Sequence, residues 1–450
     1  MTLIGCQEKS VESIKSVKSV LNVREEYFSK RISLEDAVKH VHSNFQVVVS
    51  TGPAEPFGLI EALYQRRKDL VGVTMHHNLP LSPFSYLKKD STPHFKVNVW
   101  FSSYLSRKGI NEGWVDYTPN HFHELPSFLS EYVQPDIFLV AVSPMDEEGY
   151  FTCGVAVSGN FEVLEKARLI IVEENEYMPC TCGRTKIHIS EVDYVTKNNY
   201  KLPEIPLGKT SSEAEAIGEL VAQLVCDGAT LQLGIGDIPN AVAKHLLNKN
   251  DLGVHAEIIS DNIVDLIEKG AITNRFKPLN PGKVVASVAL GTNKLYNFVN
   301  HNPLVELHPV SYTNNPVIIS QNPNFVAING TLEVDLFGQC ASESIGSKYY
   351  SGTGGQVDFC RGAIHSRGGK SFLVLPSTYN QGRSSRIVPY LKPGAIVSVT
   401  KNDTDYVVTE NGIAHLRGKT LKQRALELIA IAHPDFRMEL RREAAKMALL

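Results

Sequence analysis

Two glycine-containing turns and one nearby glutamate are the residues whose types and spacing could do chemistry. The first turn, Gly234-Ile-Gly236, follows an apolar run at 230–233 and precedes a helical pattern at 239–247. At such a strand-to-helix turn, backbone N–H groups and the helix dipole can meet an anion or a developing negative charge. We therefore predict that Gly234 and Gly236 bind substrate. A turn that holds no ligand is the alternative, because tight turns often need glycine.

Glu257 comes directly after a predicted short strand at 253–256. The carboxyl end of a parallel strand usually faces a crevice, so this carboxylate is placed for chemistry. It could instead cap a predicted helix at 261–269, a role equally open to Ser260 or Asp261. Its spacing from Gly236 also suits a dinucleotide-binding fingerprint, but Pro239 stands where that fingerprint has its third glycine. The spacing therefore only weakly supports a nicotinamide dinucleotide site.

The second glycine turn contains Gly352, Gly354 and Gly355, followed by Gln356. Such a loop brings backbone N–H groups close to a ligand without a Cβ in the way. It lacks the Gly-Lys-Ser/Thr ending of a nucleotide-binding loop, so it is typical of an oxyanion or thioester cradle, with a bare turn as the alternative. A further acidic candidate, Glu333, alternates with apolar residues on a predicted strand at 332–336, where charged faces of edge strands are usually solvated.

The elements that must position these residues follow a strand–helix–strand rhythm. Continuous apolar runs at 45–49, 70–74, 136–142 and 169–172 are typical of parallel strands covered on both faces. The polar, proline-containing stretch 195–209 predicts an interdomain linker. After it, the same pattern restarts with a helix at 213–226. We predict an α/β fold of two similar open domains, 1–208 and 209–450, with mainly parallel sheets and an active site at their interface.

Composition excludes several classes of protein. The 450 residues carry 45 Lys and Arg against 48 Asp and Glu, so no basic field favours a nucleic-acid partner. No stretch is long and apolar enough for a membrane span, and the charged start is not typical of a secretory signal. The seven cysteines lack the density of a disulfide scaffold, and the pair Cys180 and Cys182 has no second pair to complete a zinc site. We expect a cytoplasmic protein without a metal site.

Several of these motifs together resemble the acetyl-CoA hydrolase/transferase family, the class I coenzyme A transferases. Within it, the chain resembles the branch that contains 4-hydroxybutyrate and butyryl-CoA:acetate CoA-transferases. The matching stretches cover most of the chain from about residue 47, and they are DIFLVAVSPMDEEGYFTCGVAVS, LGIGDIPNAV, VHAEIISDNIVDL, TLEVDLFGQ, SGTGGQVDFCRGA, LPSTYNQGRSSRIVPYL and DYVVTENGIAHLRGKTL.

The resemblance implies that Glu257 is a nucleophile that forms an acyl-glutamyl anhydride and then a glutamyl-CoA thioester. It implies that Gly354 and Gly355 supply donors to the oxyanion. Less firmly, Asn314 resembles a CoA-contacting asparagine, and Glu410 resembles a second active-site glutamate.

Gln356 belongs to the same predicted substrate-binding set. Lys370 could reach a CoA phosphate or carbonyl, with a solvated surface lysine as the alternative. His255 could orient Glu257, although hydrogen-bonded packing is the commoner role. A metal or acid–base set could also be formed by five histidines, which are His76, His77, His121, His123 and His255. The resemblance also implies no cofactor beyond coenzyme A as substrate, short-chain carboxylates as partners, and a homodimer or a higher homo-oligomer. Hydrolysis of acyl-CoA on the same scaffold remains the alternative activity.

Overall fold

The computed structural model describes residues 22–450. Cys6 and the start segment, which we predicted not to be a secretory signal, lie outside the described residues. No helix among residues 22–450 combines the length and apolar character needed to cross a membrane.

The first half of the chain forms a seven-stranded parallel sheet. Its strands stand in the order β7-β6-β5-β1-β2-β3-β4, so the chain order reverses between β1 and β5. The strands are β1 Gln46–Val49, β2 Val73–Asn78, β3 Phe95–Phe101, β4 Val115–Tyr117, β5 Ile137–Val142, β6 Leu169–Glu174 and β7 Tyr194–Lys197.

The second half forms a six-stranded sheet in the order β9-β8-β10-β11-β12-β13, with only the last pair antiparallel. Its chain order reverses between β8 and β10. The strands are β8 Thr230–Leu233, β9 Gly253–Val254, β10 Phe325–Gly330, β11 Lys370–Val374, β12 Tyr406–Thr409 and β13 Gly412–His415. Ligands of open parallel sheets bind outside the carboxyl ends of the strands where the order reverses. Each sheet therefore has a crevice of that kind.

The longer helices cover these sheets. They are α1 Phe57–Gln65, α2 Ser212–Gln223, α3 Asp237–His245, α4 Asp261–Glu268, α5 Gln356–His365, α6 Leu421–Ile431 and α7 Pro434–Lys446. Shorter α-helices are Leu34–Ala37, Arg107–Glu112, Leu125–Ser127, Asn160–Leu164, Asn293–Val299, Val310–Thr313 and Pro316–Ser320, and the described part of a further helix spans 22–30. Short strands outside the two sheets are Tyr150–Thr152, Cys182–Gly183, Lys186–His188, Ile258–Ile259, Val284–Ala286, Val288–Ala289, Val305–Leu307, Glu333–Asp335, Cys340–Ala341, Ser344–Ile345, Lys348–Tyr349, Thr378–Tyr379, Ser384–Ser385 and Ile387–Val388.

One apolar core joins the two sheets. Alternate residues of each strand point to it, so Val48 and Phe138 of the first sheet belong to the same buried cluster as Leu231 and Phe372 of the second. The opposite face of the first sheet buries a separate cluster that contains Leu139. The second half of the chain likewise buries a separate cluster of its own. The shared core fixes the two sheets against each other.

The predicted α/β class with mainly parallel sheets is confirmed. The boundary that we placed at residue 208 stays a prediction. The linker that we predicted at 195–209 is wrong at its start, because Tyr194–Lys197 forms β7 and pairs with β6. A polar edge strand lacks the apolar run by which the other strands were predicted. Glu333 is also not on a solvated edge, since its strand lies between two others and buries both Glu333 and Asp335.

Candidate active site

A cavity of about 230 Å³ opens where the carboxyl ends of the two sheets meet. Thr51 follows β1, Gly234 follows β8, and Gly330 ends β10, so each sheet contributes the strands at which its order reverses. Phe101 at the end of β3 completes the wall from the first half. Both halves of the chain are therefore needed to enclose the cavity.

Among residues 22–450, Glu257 is the one formally charged side chain that lines this cavity. It lies just before the strand Ile258–Ile259, and its backbone carbonyl accepts the N–H groups of Ser287 and Val288, each at 3.0 Å. These bonds fix the backbone, so the half-buried side chain reaches the cavity from a rigid position.

Two residues contact the Glu257 carboxylate. Asn314 donates its side-chain amide to Oε2 at 2.7 Å, and the backbone of Gly355 lies close beside the same oxygen. Withdrawal from water still raises the pKa of Glu257 to about 7, and the negative charge of Asp358 raises it further, while the contacts with Asn314 and Gly355 oppose the rise. The carboxyl therefore titrates in the neutral range, where a nucleophile or base is useful.

Gly355 must be glycine for this contact to form. A Cβ at that position would overlap with Glu257 Oε2 and with the Asn314 amide nitrogen. The preceding Gly354 has φ +55°, a conformation that favours glycine, and lies directly against the Phe101 ring. The second glycine turn thus brings its backbone beside the Glu257 carboxylate, and the donor role of Gly354 and Gly355 stays a prediction.

The glycine turn is anchored to the first half of the chain. The Thr353 N–H donates to the Tyr117 hydroxyl at 3.1 Å, and the Thr353 hydroxyl donates to Glu343 at 3.2 Å. Nearby, the Arg107 side chain donates to the Tyr350 carbonyl at 2.7 Å. The donors of one half are therefore positioned by contacts with the other.

Of the other residues that we predicted to bind substrate, some line the cavity and some do not. Gly234 lines the cavity. Gly236, with φ +122°, precedes α3 at the exposed side of the turn and does not line the cavity. Gln356 lines the cavity and donates its side-chain amide to the Gly330 carbonyl at 2.7 Å. Asn314 is fully buried behind Glu257 and is not part of the wall. In this structure its contact is with the carboxylate.

Glu410 and Lys370 lie outside the cavity wall. Glu410 follows β12 at the correct edge of the second sheet, but its carboxylate accepts the backbone N–H and the hydroxyl of Ser377. Lys370 is the first residue of β11, about 13 Å from the carboxyl end of that strand at the usual rise per residue. The structure therefore does not bring Lys370 to the cavity edge.

The two histidines nearest the site have partners other than Glu257. His255 is fully buried, its Nε2 lies 2.8 Å from the Thr313 carbonyl, and burial lowers its pKa to about 3. It therefore holds the backbone next to Asn314, and within residues 22–450 its side chain makes no hydrogen bond to Glu257. His123 Nδ1 pairs with Asp358 at 2.7 Å, and that hydrogen bond raises the pKa of His123.

Sequence reasoning missed the residues that the first half contributes. Thr51, Asn78 and Phe101 all line the cavity, and each follows or ends a strand of the first sheet. Their position at the carboxyl ends of parallel strands is the signal that could have identified them. Strand β3 was itself not predicted, so its end could not be placed.

Comparison with known proteins supports this description at the level of the whole chain. Residues 15–205 match the acetyl-CoA hydrolase/transferase N-terminal domain, and residues 291–444 match the acetyl-CoA hydrolase/transferase C-terminal domain. A succinyl-CoA:cyclohexane-1-carboxylate CoA transferase of Geobacter metallireducens is 48% identical, over 97% of this chain and 99% of its own. A 4-hydroxybutyrate coenzyme A transferase of Clostridium kluyveri is 45% identical, over 93% of this chain and 98% of its own.

A solved structure shows the same architecture. RipA from Yersinia pestis superposes with a TM-score of 0.91 at 38% identity, over 95% of this chain and 100% of its own. The chain belongs to the acetyl-CoA hydrolase/transferase family of enzymes and groups with its CoA-transferases.

Proposed function

We propose that the protein moves coenzyme A between a short-chain acyl-CoA, such as acetyl-, butyryl- or 4-hydroxybutyryl-CoA, and a free carboxylate such as acetate. One observation carries the proposal. Among the described residues that line the cavity, Glu257 has the only charged side chain, and the backbone of Gly355 packs against its carboxylate. The names of the similar proteins support the same class of reaction.

The proposed chemistry begins with attack by a Glu257 carboxylate oxygen on the thioester carbonyl carbon. The C–S bond breaks, CoA leaves as the thiolate, and an acyl-glutamyl anhydride remains. The thiolate then attacks the glutamyl carbonyl, which releases the acyl group as a carboxylate and leaves a glutamyl-CoA thioester. The acceptor carboxylate repeats these steps in reverse. Covalent steps of this kind replace one difficult displacement by several easier ones.

The glycine turn supports each attack. Negative charge develops on a carbonyl oxygen, and preorganised N–H donors stabilise such charge most effectively away from water. We assign this role to the backbone of Gly354 and Gly355, which rigid contacts with Phe101 and Tyr117 hold in place. Asn314 is assigned to orienting the carboxylate, from behind the cavity.

The decisive experiment traps the covalent intermediate. The protein is incubated with butyryl-CoA, and its intact mass and peptide map are recorded, with Glu257→Gln as the control. We expect a mass increase of CoA minus one water, mapped to Glu257 and absent from the variant. An adduct on another residue, or full exchange activity in Glu257→Gln, would refute the proposal. Free CoA released equally with and without acetate would establish the alternative, acyl-CoA hydrolysis.

We further propose that the reaction needs no metal or organic cofactor and that the enzyme is a cytoplasmic homodimer. Exchange that survives exhaustive treatment with a chelator would support the first point. Light scattering that gives twice the chain mass would support the second, since two-fold assemblies are the commonest oligomers.

A further inference from the structure

We propose that Glu343 is a positioning residue of the reaction, because it holds the second glycine turn where Gly354 and Gly355 can serve as donors. Glu343 lies outside the wall of the active-site cavity and acts on the turn through the Thr353 hydroxyl. This inference rests on the proposed CoA-transferase function. It names a buried side chain on which the rate of the covalent steps depends.

Glu343 bonds to three residues of the short segment that precedes these two glycines. Its backbone carbonyl accepts the N–H of Tyr350 at 2.8 Å and the N–H of Ser351 at 3.1 Å. Its side-chain Oε2 accepts the Thr353 hydroxyl at 3.2 Å. One residue therefore fixes both ends of the segment that leads into Gly354.

The Glu343 carboxylate is itself held from the other side. Its Oε1 accepts the Ser398 hydroxyl at 2.8 Å, and the Ser398 oxygen accepts the backbone N–H of Ser342 at 3.0 Å. Both carboxylate oxygens therefore accept a hydrogen bond, one from Ser398 and one from Thr353. An ionised carboxylate can do this, whereas a side-chain amide has only one acceptor oxygen. The position thus favours a carboxylate over its neutral analogue.

The burial of this carboxylate indicates a role beyond packing. Glu343 is only 4% exposed, and within residues 22–450 no lysine or arginine forms a salt bridge with it. Withdrawal from water raises the pKa of Glu343, and its hydrogen bonds with Ser398 and Thr353 oppose the rise. Burying a carboxylate without an ion pair is unfavourable, and such groups cluster at functional sites. A role in fixing the turn beside Glu257 explains why this one is kept.

The same contacts decide which N–H groups of the turn can bind a substrate oxygen. Those of Tyr350 and Ser351 already donate to Glu343. That of Thr353 donates to the Tyr117 hydroxyl at 3.1 Å. An N–H group that has a protein partner is not free to stabilise charge on a substrate. The donors that the turn can offer are therefore those of its glycines.

Thr353 is held between the two halves of the chain. Its N–H is bonded to Tyr117, which ends β4, and its hydroxyl is bonded to Glu343 in the second half. The Tyr117 ring also meets the Tyr349 ring edge-on, with the ring centroids 5.4 Å apart. A shift of the turn would break both bonds of Thr353, so the two bonds together define one position for the glycines.

The test measures kcat and KM for butyryl-CoA with acetate as acceptor. Glu343→Met keeps the length of the side chain and removes both acceptor oxygens. We expect kcat to fall by about 10-fold or more while KM changes by less than about twofold, because displaced donors weaken transition-state binding more than substrate binding. The matched control is Glu333→Met, because Glu333 is 6% exposed, pairs with Lys392 and lies outside the cavity wall. Its kcat should stay within about twofold of the wild-type value.

A double-mutant cycle tests whether Glu343 acts through Thr353. Thr353→Val removes the hydroxyl and keeps the branched shape of the side chain. If the two residues act as one unit, kcat of the double variant should be no lower than that of the more impaired single variant. Losses that multiply in the double variant would show that Glu343 acts by another route, and would overturn the inference.

A wild-type kcat in Glu343→Met would also overturn the inference, and so would a raised KM at unchanged kcat. An equal loss of kcat in Glu333→Met would show a general effect of removing a buried carboxylate, and would overturn it too. Failure of the wild-type protein to transfer CoA would instead count against the proposed function itself.

Tyr117→Phe provides the test if Glu343→Met does not fold. It removes the acceptor of the Thr353 N–H, so kcat should fall while KM is kept. The control is Tyr296→Phe, which removes a buried hydroxyl that donates to the Pro203 carbonyl at 2.7 Å, away from the turn. Equal kcat values in these two variants would overturn the inference.

Discussion

The Glu257 carboxyl is divided between its protonated and ionised forms near neutral pH, because the surrounding protein raises its pKa to about 7. Only the ionised form can attack a thioester. We therefore expect kcat/KM for butyryl-CoA to rise with pH through about 7 and to level off above it. Asn314→Ala removes a donor to the carboxylate, so its profile should move to higher pH. A profile that keeps its position in the variant would contradict the role of Asn314.

The same pKa has a consequence for stability. The folded-state pKa of Glu257 lies above its unfolded value, so folding disfavours the ionised form. The free energy of unfolding of the wild type therefore falls as pH rises from 4.5 through 7. Glu257→Gln should therefore be more stable than the wild type at pH 8, by on the order of 2–3 kcal/mol, and equally stable at pH 4. Urea denaturation at the two pH values measures this. A constant difference at both values would count against the raised pKa.

The close approach of Gly355 to Glu257 predicts the effect of a single methyl group. In Gly355→Ala the new Cβ would push the carboxylate and the Asn314 amide away from their positions. We expect activity to fall by at least about 100-fold, the usual effect of losing an oxyanion donor. Gly208→Ala is the control, because Gly208 has open space around it and no positive φ. Similar activities in the two variants would exclude the cradle role.

At the scale of elements, helix α5 is linked to the first half of the chain by the pair of Asp358 and His123. The pair raises the pKa of His123, so its stabilising effect is complete below the unfolded pKa of 6.5 and is lost as pH rises through the folded value. The melting temperature of Asp358→Asn should therefore lie further below that of the wild type at pH 5.5 than at pH 9. A difference that does not change with pH would exclude this pairing as its cause.

The elements also show what the sequence could and could not predict. Apolar runs marked β1, β5 and β6 almost to the residue, because buried parallel strands need continuous apolar sequence. The polar edge strand β7 gave no such signal. Gly355 and Glu257 were both singled out by local pattern, but their contact depends on how two distant segments meet. Phe101 pairs with Asn78 across a bulge between β2 and β3 that skips Trp100, and no local pattern indicates that bulge.

At the scale of the whole molecule, the core shared by the two sheets predicts one cooperative unfolding transition. Both tryptophans lie in the first half, so their fluorescence reports on that half, whereas far-ultraviolet circular dichroism reports on both. We expect the two signals to change together in urea. A fluorescence transition at lower urea would mean that the halves unfold separately, and would favour independent domains on either side of residue 208.

The solitary charge of the cavity has a consequence for the sequence of events in catalysis. In the part of the chain that the structure describes, no fixed cation lines the wall beside Glu257, so a free carboxylate that enters meets a like charge whenever Glu257 is ionised. The acyl end of an acyl-CoA is a neutral thioester, so the part of the donor that reaches Glu257 is not repelled. In the proposed mechanism, bonding of Glu257 to CoA removes this negative charge, and an anionic acceptor could then enter a cavity without a charged wall. Electrostatics alone would thus make the enzyme admit donor first and acceptor second, without any moving gate.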